Sequence, residues 1–181
     1  MNPLLIALKY FGLMAFVTGI AYPLLITLIA QVAMPYTANG SLLQKKGKVI
    51  GSELIGQKIE EQGYFWTRPS AIDYDPLKPS GGSNYGPTSQ KLKDQLKERM
   101  GKRGDKAPAD LLYASGSGLD PHISLEAAYY QIPRIAKARS LSEGDLKSLI
   151  DSFAQQKSYF SSVKYVNVLL LNLKLDEKHG R

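Results

Sequence analysis

The sequence predicts an α+β fold: one N-terminal transmembrane helix followed by a single extracytoplasmic α+β domain. Three patterns carry that reading. An uncharged apolar run lies near the N-terminus, a Gly-, Ser- and Pro-rich stretch follows it, and the C-terminal half shows helical periodicity before a closing alternation. With 181 residues, 44% hydrophobic and 22% charged, the chain suits one globular domain with an appendage.

The apolar run is "YFGLMAFVTGIAYPLLITLIAQVA", Tyr10 to Ala33, 24 residues without a charge. At 1.5 Å per residue it spans roughly 36 Å, enough to cross a hydrocarbon core with some tilt. Pro23 lies mid-run, where a membrane helix tolerates it and where it should set a kink. Gly12, Gly19 and Ala21 offer small surfaces for packing against another helix, so these residues with Pro23 are the candidate docking positions. Tyr10, Phe11, Tyr22 and Tyr36 suit the interfacial belts. A cleaved signal peptide fits less well. Its apolar region would be about 7–15 residues long, with a small residue two before the cleavage position. Leu28 and Gln31 stand two before Ala30 and Ala33.

The short N-terminus carries Lys9, and Lys45, Lys46 and Lys48 follow beyond a spacer. Read locally, the positive-inside rule keeps the N-terminus in the cytoplasm and exports the rest. The expected division is a cytoplasmic segment 1–9, a transmembrane helix 10–34 and an extracytoplasmic domain 35–181.

Within that domain, residues 39–87 read as short strands and turns, with Lys48–Gln57 loosely alternating and "YDPLKPSGGSNYGP" a loop. Leu92, Leu96 and Met100 repeat at helical spacing between charges, with Thr88 or Ser89 as N-cap. Asp110–Ala114 suits a short buried strand. Ser124 caps a helix through about Arg139, kinked or restarted at Pro133. Ser142 with Asp145 three residues later resembles a capping box, for a helix buried through Leu146, Leu149, Ile150 and Phe153. In "VNVLLLNLKLD", Leu169, Leu171, Leu173 and Leu175 alternate with Leu170, Asn172 and Lys174, the pattern of a closing strand.

Chemistry is constrained mostly by exclusion. The chain has no cysteine, so it has no disulfide, thiolate metal site or Cys nucleophile. The net charge of +7 is dispersed without a basic block, which argues against nucleic-acid binding. His122 and His179 lack metal-ligand spacing, so no metal site is expected. "SGGSN", Ser80 to Asn84, resembles a phosphate loop only in its glycines; no Lys-Ser or Lys-Thr follows to meet phosphate and metal. It reads as a shape-determining turn. Ser115, Ser117, Asp120 and His122 lie close in sequence, which raises the alternative of a membrane-tethered extracytoplasmic serine hydrolase. Triad members normally converge from distant positions, and no G-x-S-x-G elbow is present. No catalytic constellation emerges from the residues themselves.

In order along the chain stand "TGIAYPLL", "ANGSL", "GSELIGQ", "GYFWTRPSA", "SGGSN", "SGSGLDPHIS", "YQIPRIAKAR" and "VNVLLLNLKL". Together, from about Gly19 to Leu175, they resemble the C subunit of the bacterial Kdp potassium-transporting P-type ATPase; the likeness thins over Lys91–Pro108. The resemblance implies a subunit of an inner-membrane pump, beside a channel-like potassium-binding subunit, an ATP-hydrolysing P-type subunit and a small single-helix subunit. It implies that ATP and potassium are handled by the complex, with no cofactor bound here with certainty. This chain has neither a D-K-T-G phosphorylation motif nor a T-V-G-Y-G filter. Two roles attach to the family: a catalytic chaperone raising the ATP affinity of the ATPase subunit, and an external cap near ion entry. The motif loops single out Gly63, Arg68, Pro69, Ser80, Gly81, Gly82, Ser83, Asn84, Ser117, Gly118, Leu119, Asp120, Gln131, Pro133 and Arg134 as structural or interface residues.

Overall fold

A computed structural model describes residues 2–45, 47–156 and 163–179. The chain divides into two compact units, Met1–Ser52 and Glu53–Arg181.

The first unit is dominated by one apolar helix, Pro3–Ala33, 31 residues long with none of its apolar window buried. Its first part, α1 (Pro3–Phe16), starts from an Asn2 cap whose side chain accepts the Leu4 N–H at 3.1 Å. Pro23 has no N–H to give to Gly19. The turn just before it, Val17–Ala21, widens so that the Tyr22 N–H reaches the Val17 carbonyl. A single widened turn is a common way for a helix to absorb a local mismatch. The helix then continues as α2 (Tyr22–Ala33). It stops at Met34, which precedes Pro35 and leaves helical geometry at φ −145°. A short turn, α3 (Pro35–Ala38), follows. Asn39 and Gln31 exchange amide hydrogen bonds at 3.0 and 3.3 Å, tying that turn back to the helix. Strands β1 (Leu42–Lys45) and β2 (Lys48–Ser52) close the unit as an antiparallel hairpin with a bulge at Leu43/Gln44.

The second unit combines helices with a three-stranded antiparallel sheet. Its strands, in spatial order, are β3 (His122–Ser124), β5 (Lys164–Asn167) and β4 (Gln155–Gln156). The helices are α4 (Gln90–Arg103), α5 (Ala109–Leu112), α6 (Leu125–Tyr130), α7 (Ile132–Arg139), α8 (Glu143–Phe153) and α9 (Val168–His179). Phe65, Leu111, Ile123, Ile135, Leu146, Ile150, Val166 and Leu171 meet in one core. The expected α+β class is the observed one.

Local signals set several boundaries. The Ser124 hydroxyl accepts the Ala127 N–H, and the Ser142 hydroxyl accepts the Asp145 N–H, both at 3.2 Å. Pro133 takes the second position of α7, so the expected long helix is two, joined at Gln131.

Three expectations are corrected. Asp110–Ala114 is no strand; its first residues belong to the single-turn helix α5. No strand follows β2 before α4 among the described residues, so the aromatic stretch 63–71 pairs in no sheet. The closing leucine run is helix, not strand. Val168, Leu169, Leu171, Asn172 and Leu175 are its buried residues, and Val168, Leu171, Asn172 and Leu175 keep the spacing of three, four and seven that a helix provides. The Asn167 side chain accepts the Leu170 N–H at 3.2 Å, ending β5 and starting α9.

Candidate functional site

The segment 63–71, "GYFWTRPSA", enters the core of the second unit through Phe65. Phe65, Trp66, Thr67 and Pro69 are buried. A buried chain outside any helix or strand needs partners for its polar backbone groups, and no neighbouring strand supplies them. Side chains do. The Asn172 carboxamide accepts the Phe65 N–H at 2.8 Å and donates to its carbonyl at 2.9 Å. Gln131 does the same for Trp66, at 2.8 and 3.4 Å. Arg139 donates to the Gly63 carbonyl, Arg134 to Tyr64 and Arg103 to Thr67, at 2.6, 2.9 and 3.0 Å. The Tyr74 hydroxyl donates to the Arg68 carbonyl at 2.6 Å, and the Ser115 N–H to Pro69 at 3.0 Å. "YQIPRIAKAR" is therefore largely a reader of "GYFWTRPSA". Gln131 and Arg134 hold its backbone, and Pro133 fixes where α7 begins.

The arginines also stack. Arg134 lies 3.6 Å above the Trp66 ring, Arg103 lies 5.5 Å from it, and Arg139 lies 4.4 Å above Tyr64. Burial, then the nearby Arg103 charge, pushes the Arg134 pKa down to about 10. It stays charged at neutral pH, held by carbonyl oxygens of Gln62 and Tyr64. Arg139 pairs with Asp176 at 2.7 Å, and both side chains are nearly buried.

Arg68 lies between two half-buried carboxylates, 3.1 Å from Asp120 and 3.9 Å from Asp110. Asp110 in turn accepts the Ser124 N–H at 2.8 Å, and Asp120 accepts the His122 N–H at 3.0 Å. Burial alone would raise the Asp120 pKa. Hydrogen bonds from the His122 side chain and backbone, with the Arg68 charge, outweigh it and hold the carboxyl below its ordinary value.

The two glycine loops face each other. The Gly81 N–H and the Ser80 hydroxyl both donate to the Ser117 carbonyl, at 3.0 and 2.9 Å. Gly118 has φ +71°, and a Cβ there would stand 2.7 Å from Ile72 and 2.9 Å from the Gly81 carbonyl. A Cβ on Gly82 would stand 3.2 Å from the Ser115 carbonyl. Asn84 adopts a left-handed conformation, φ +53°, that shapes the exit of the same loop. "SGGSN" thus packs backbone against backbone, and it lies ahead of α4 rather than at its first turn, where an anion would meet free N–H groups.

The serines do not assemble a triad. Ser115 is buried, and the Ser117 hydroxyl accepts the Leu119 N–H at 3.1 Å. The His122 ring lies 3.5 Å from Asp120 and edge-on to Tyr165 at 4.8 Å. Among the described residues no hydrogen bond joins either serine to His122. No cluster of three or more His, Asp or Glu able to hold a metal occurs among the described residues either.

In the first unit, Gly12 and Gly19 stand two turns apart on one side of the helix, and a Cβ on either meets nothing within 4 Å. Ala21, grouped with them from the sequence, is two residues beyond Gly19, roughly half a turn round in this widened stretch, so it faces the other way. The Thr18 hydroxyl is turned inward onto the Met14 carbonyl at 2.7 Å, which leaves the helix surface apolar there.

Sequence reasoning found the loops but missed Asn172, Arg103, Arg139 and Asp176. An Asn among leucines at helical spacing from Val168 and Leu175 was the available signal for the first.

Comparison with known proteins agrees with the motif order. The family described as "KdpC: K+-transporting ATPase, c chain" matches residues 4–177. The chain is 45% identical to a potassium-transporting ATPase KdpC subunit of Paraburkholderia phytofirmans, over 94% of each chain. It is 42% identical to that subunit in Leptospira interrogans, over 99% of this chain and 96% of the relative. For the subunit of Acidobacterium capsulatum the figures are 46%, 99% and 100%.

Proposed function

The chain belongs to the KdpC family, the c chains of K+-transporting ATPases, and from that premise we propose that it is a non-catalytic accessory subunit of a high-affinity potassium uptake complex. In this reading it crosses the bacterial inner membrane once, with residues 35–181 outside the cytoplasm. Its partners are the channel-like potassium-binding subunit, the ATP-hydrolysing P-type subunit and the small single-helix subunit. It binds no ATP, potassium or metal itself, and it supports assembly and stability of the complex.

The observation that carries this reading is the 31-residue apolar helix with no burial of its own. In lipid there is no hydrophobic gain from pairing helices, so attraction comes from close packing. The bare backbone at Gly12 and Gly19 is where a neighbour's helix approaches most closely. Of the two family roles, the external cap fits better. The loop with nucleotide-like glycines spends its Gly81 N–H on the Ser117 carbonyl. With the domain outside the cytoplasm, any effect on ATP affinity is a coupling free energy passed through membrane helices.

Topology tests the reading. A reporter active only outside the cytoplasm, fused to Arg181, should be active, and a cytoplasm-only reporter silent. The reverse pattern would return direct nucleotide binding to contention. The hydrolase alternative predicts that Ser115→Ala, Ser117→Ala or His122→Ala abolishes an activity. The accessory reading predicts that each leaves potassium-dependent ATP hydrolysis by the complex largely intact.

A further inference from the structure

We propose that the groove between the "SGGSNYGP" loop and α4 is a docking site for an acidic segment of another subunit of the transport complex. The inference rests on the accessory-subunit reading above and adds the face that docks.

The groove encloses about 370 Å³. Tyr85 and Pro87 line one side, Leu92, Lys93 and Leu96 of α4 the other, and Tyr113 a third. Tyr113 and Tyr85 are 46% and 37% exposed, so two aromatic rings beside two leucines are open to a partner. No residue of α4 is fully buried, so its apolar stripe is only half covered by its own chain. Tyrosines that offer an apolar ring and a hydroxyl are the side chains most suited to a protein interface.

Charge selects the partner. Lys93 lines the groove, and Lys97 stands one turn further along the same edge. Like charges four apart on a helix repel, which destabilises it unless something answers them. The acidic residues of α4 are engaged elsewhere: Asp94 accepts from Gln90 at 2.8 Å, and Glu98 pairs with Lys102 at 2.7 Å. Neither Lys93 nor Lys97 has an ion pair among the described residues. An apolar groove with two unanswered cations on its edge fits a segment that places an apolar side chain between the tyrosines and a carboxylate against the lysines. Such complementarity fixes register and partner choice.

The test uses the whole complex. A photo-crosslinking benzoylphenylalanine replaces Tyr113 in the full chain, co-expressed with the other subunits, purified and irradiated. A covalent adduct with another subunit, mapped to a peptide containing Asp or Glu, is expected. Adduct yield should fall about 10-fold in Lys93→Glu/Lys97→Glu and be largely retained in Lys93→Arg/Lys97→Arg. The same probe at Leu77, 94% exposed and outside the groove, should give little adduct. A complex that co-purifies intact yet gives no adduct from position 113, an adduct only to lipid, or a yield indifferent to charge reversal overturns the docking site and leaves the subunit reading standing. Failure of the unsubstituted chain to co-purify with the other subunits overturns both.

Discussion

Asn172 grips both backbone groups of Phe65, accepting its N–H at 2.8 Å and donating to its carbonyl at 2.9 Å, across 107 residues of sequence. One carboxamide thereby replaces what a neighbouring strand would supply. Asn172→Leu keeps the branched shape and removes both bonds, leaving two buried backbone groups unmet. At roughly 1–3 kcal/mol for each unmet group, the variant should lose about 2–6 kcal/mol. Thermal or urea unfolding of the protein measures it; an unchanged midpoint would mean that Phe65 finds other partners.

Arg139 does a related task at the start of the same segment, holding the Gly63 carbonyl and Asp176 together. Arg139→Leu removes the guanidinium from a nearly buried carboxylate, a change that typically costs about 3–5 kcal/mol. Arg139→Leu combined with Asp176→Leu should recover part of that loss, because no buried charge is left over. A double-mutant cycle from denaturant unfolding reads the coupling.

Glycine is required at one of two neighbouring positions. Gly118→Ala meets both a left-handed backbone and a Cβ 2.7 Å from Ile72, and should destabilise by about 2–4 kcal/mol. At Gly116 a Cβ meets nothing within 4 Å, and Gly116→Ala should stay within about 0.5 kcal/mol of wild type. Equal effects at the two sites would contradict the backbone packing of the glycine loops.

Asp120 makes the domain sensitive to acid. Its carboxyl pKa is depressed in the folded state, so its stabilisation is complete above the unfolded value and is lost as pH falls through the folded one. Below that range the Asp120→Asn variant and wild type should converge in melting temperature; at neutral pH wild type should be the more stable. A constant difference between the two from neutral to strongly acidic pH would refute the linkage.

Legibility followed distance along the chain. Ser124 and Ser142 announced α6 and α8 because an N-cap acts within three residues. Pro133 announced the break at Gln131 for the same reason. The leucine run misled because "LLLNLKL" satisfies both a two-residue and a helical period. The sequence alone does not separate them until the buried Asn172 is known to face Phe65. The partners of Trp66 were illegible as well: Gln131 lies 65 residues away, and nothing local to either residue marks the pair. The loops "SGGSN" and "SGSGLD" were visible as turns, but their contact through Ser117 and Gly118 is a tertiary fact.

The central claim is that the N-terminal helix binds the other subunits and does more than anchor the chain. Gly12→Leu/Gly19→Leu fills the one face where bare backbone is open, and Ala21→Leu serves as a control on the other side. Membrane insertion should be unaffected in all variants. Affinity purification of the chain after detergent extraction, with the partner subunits quantified, measures the outcome most directly. The account predicts that Gly12→Leu/Gly19→Leu loses most of the co-purifying pump while Ala21→Leu retains it. Full recovery of the pump with the double glycine variant, together with normal potassium transport, would contradict it and make the helix a tether.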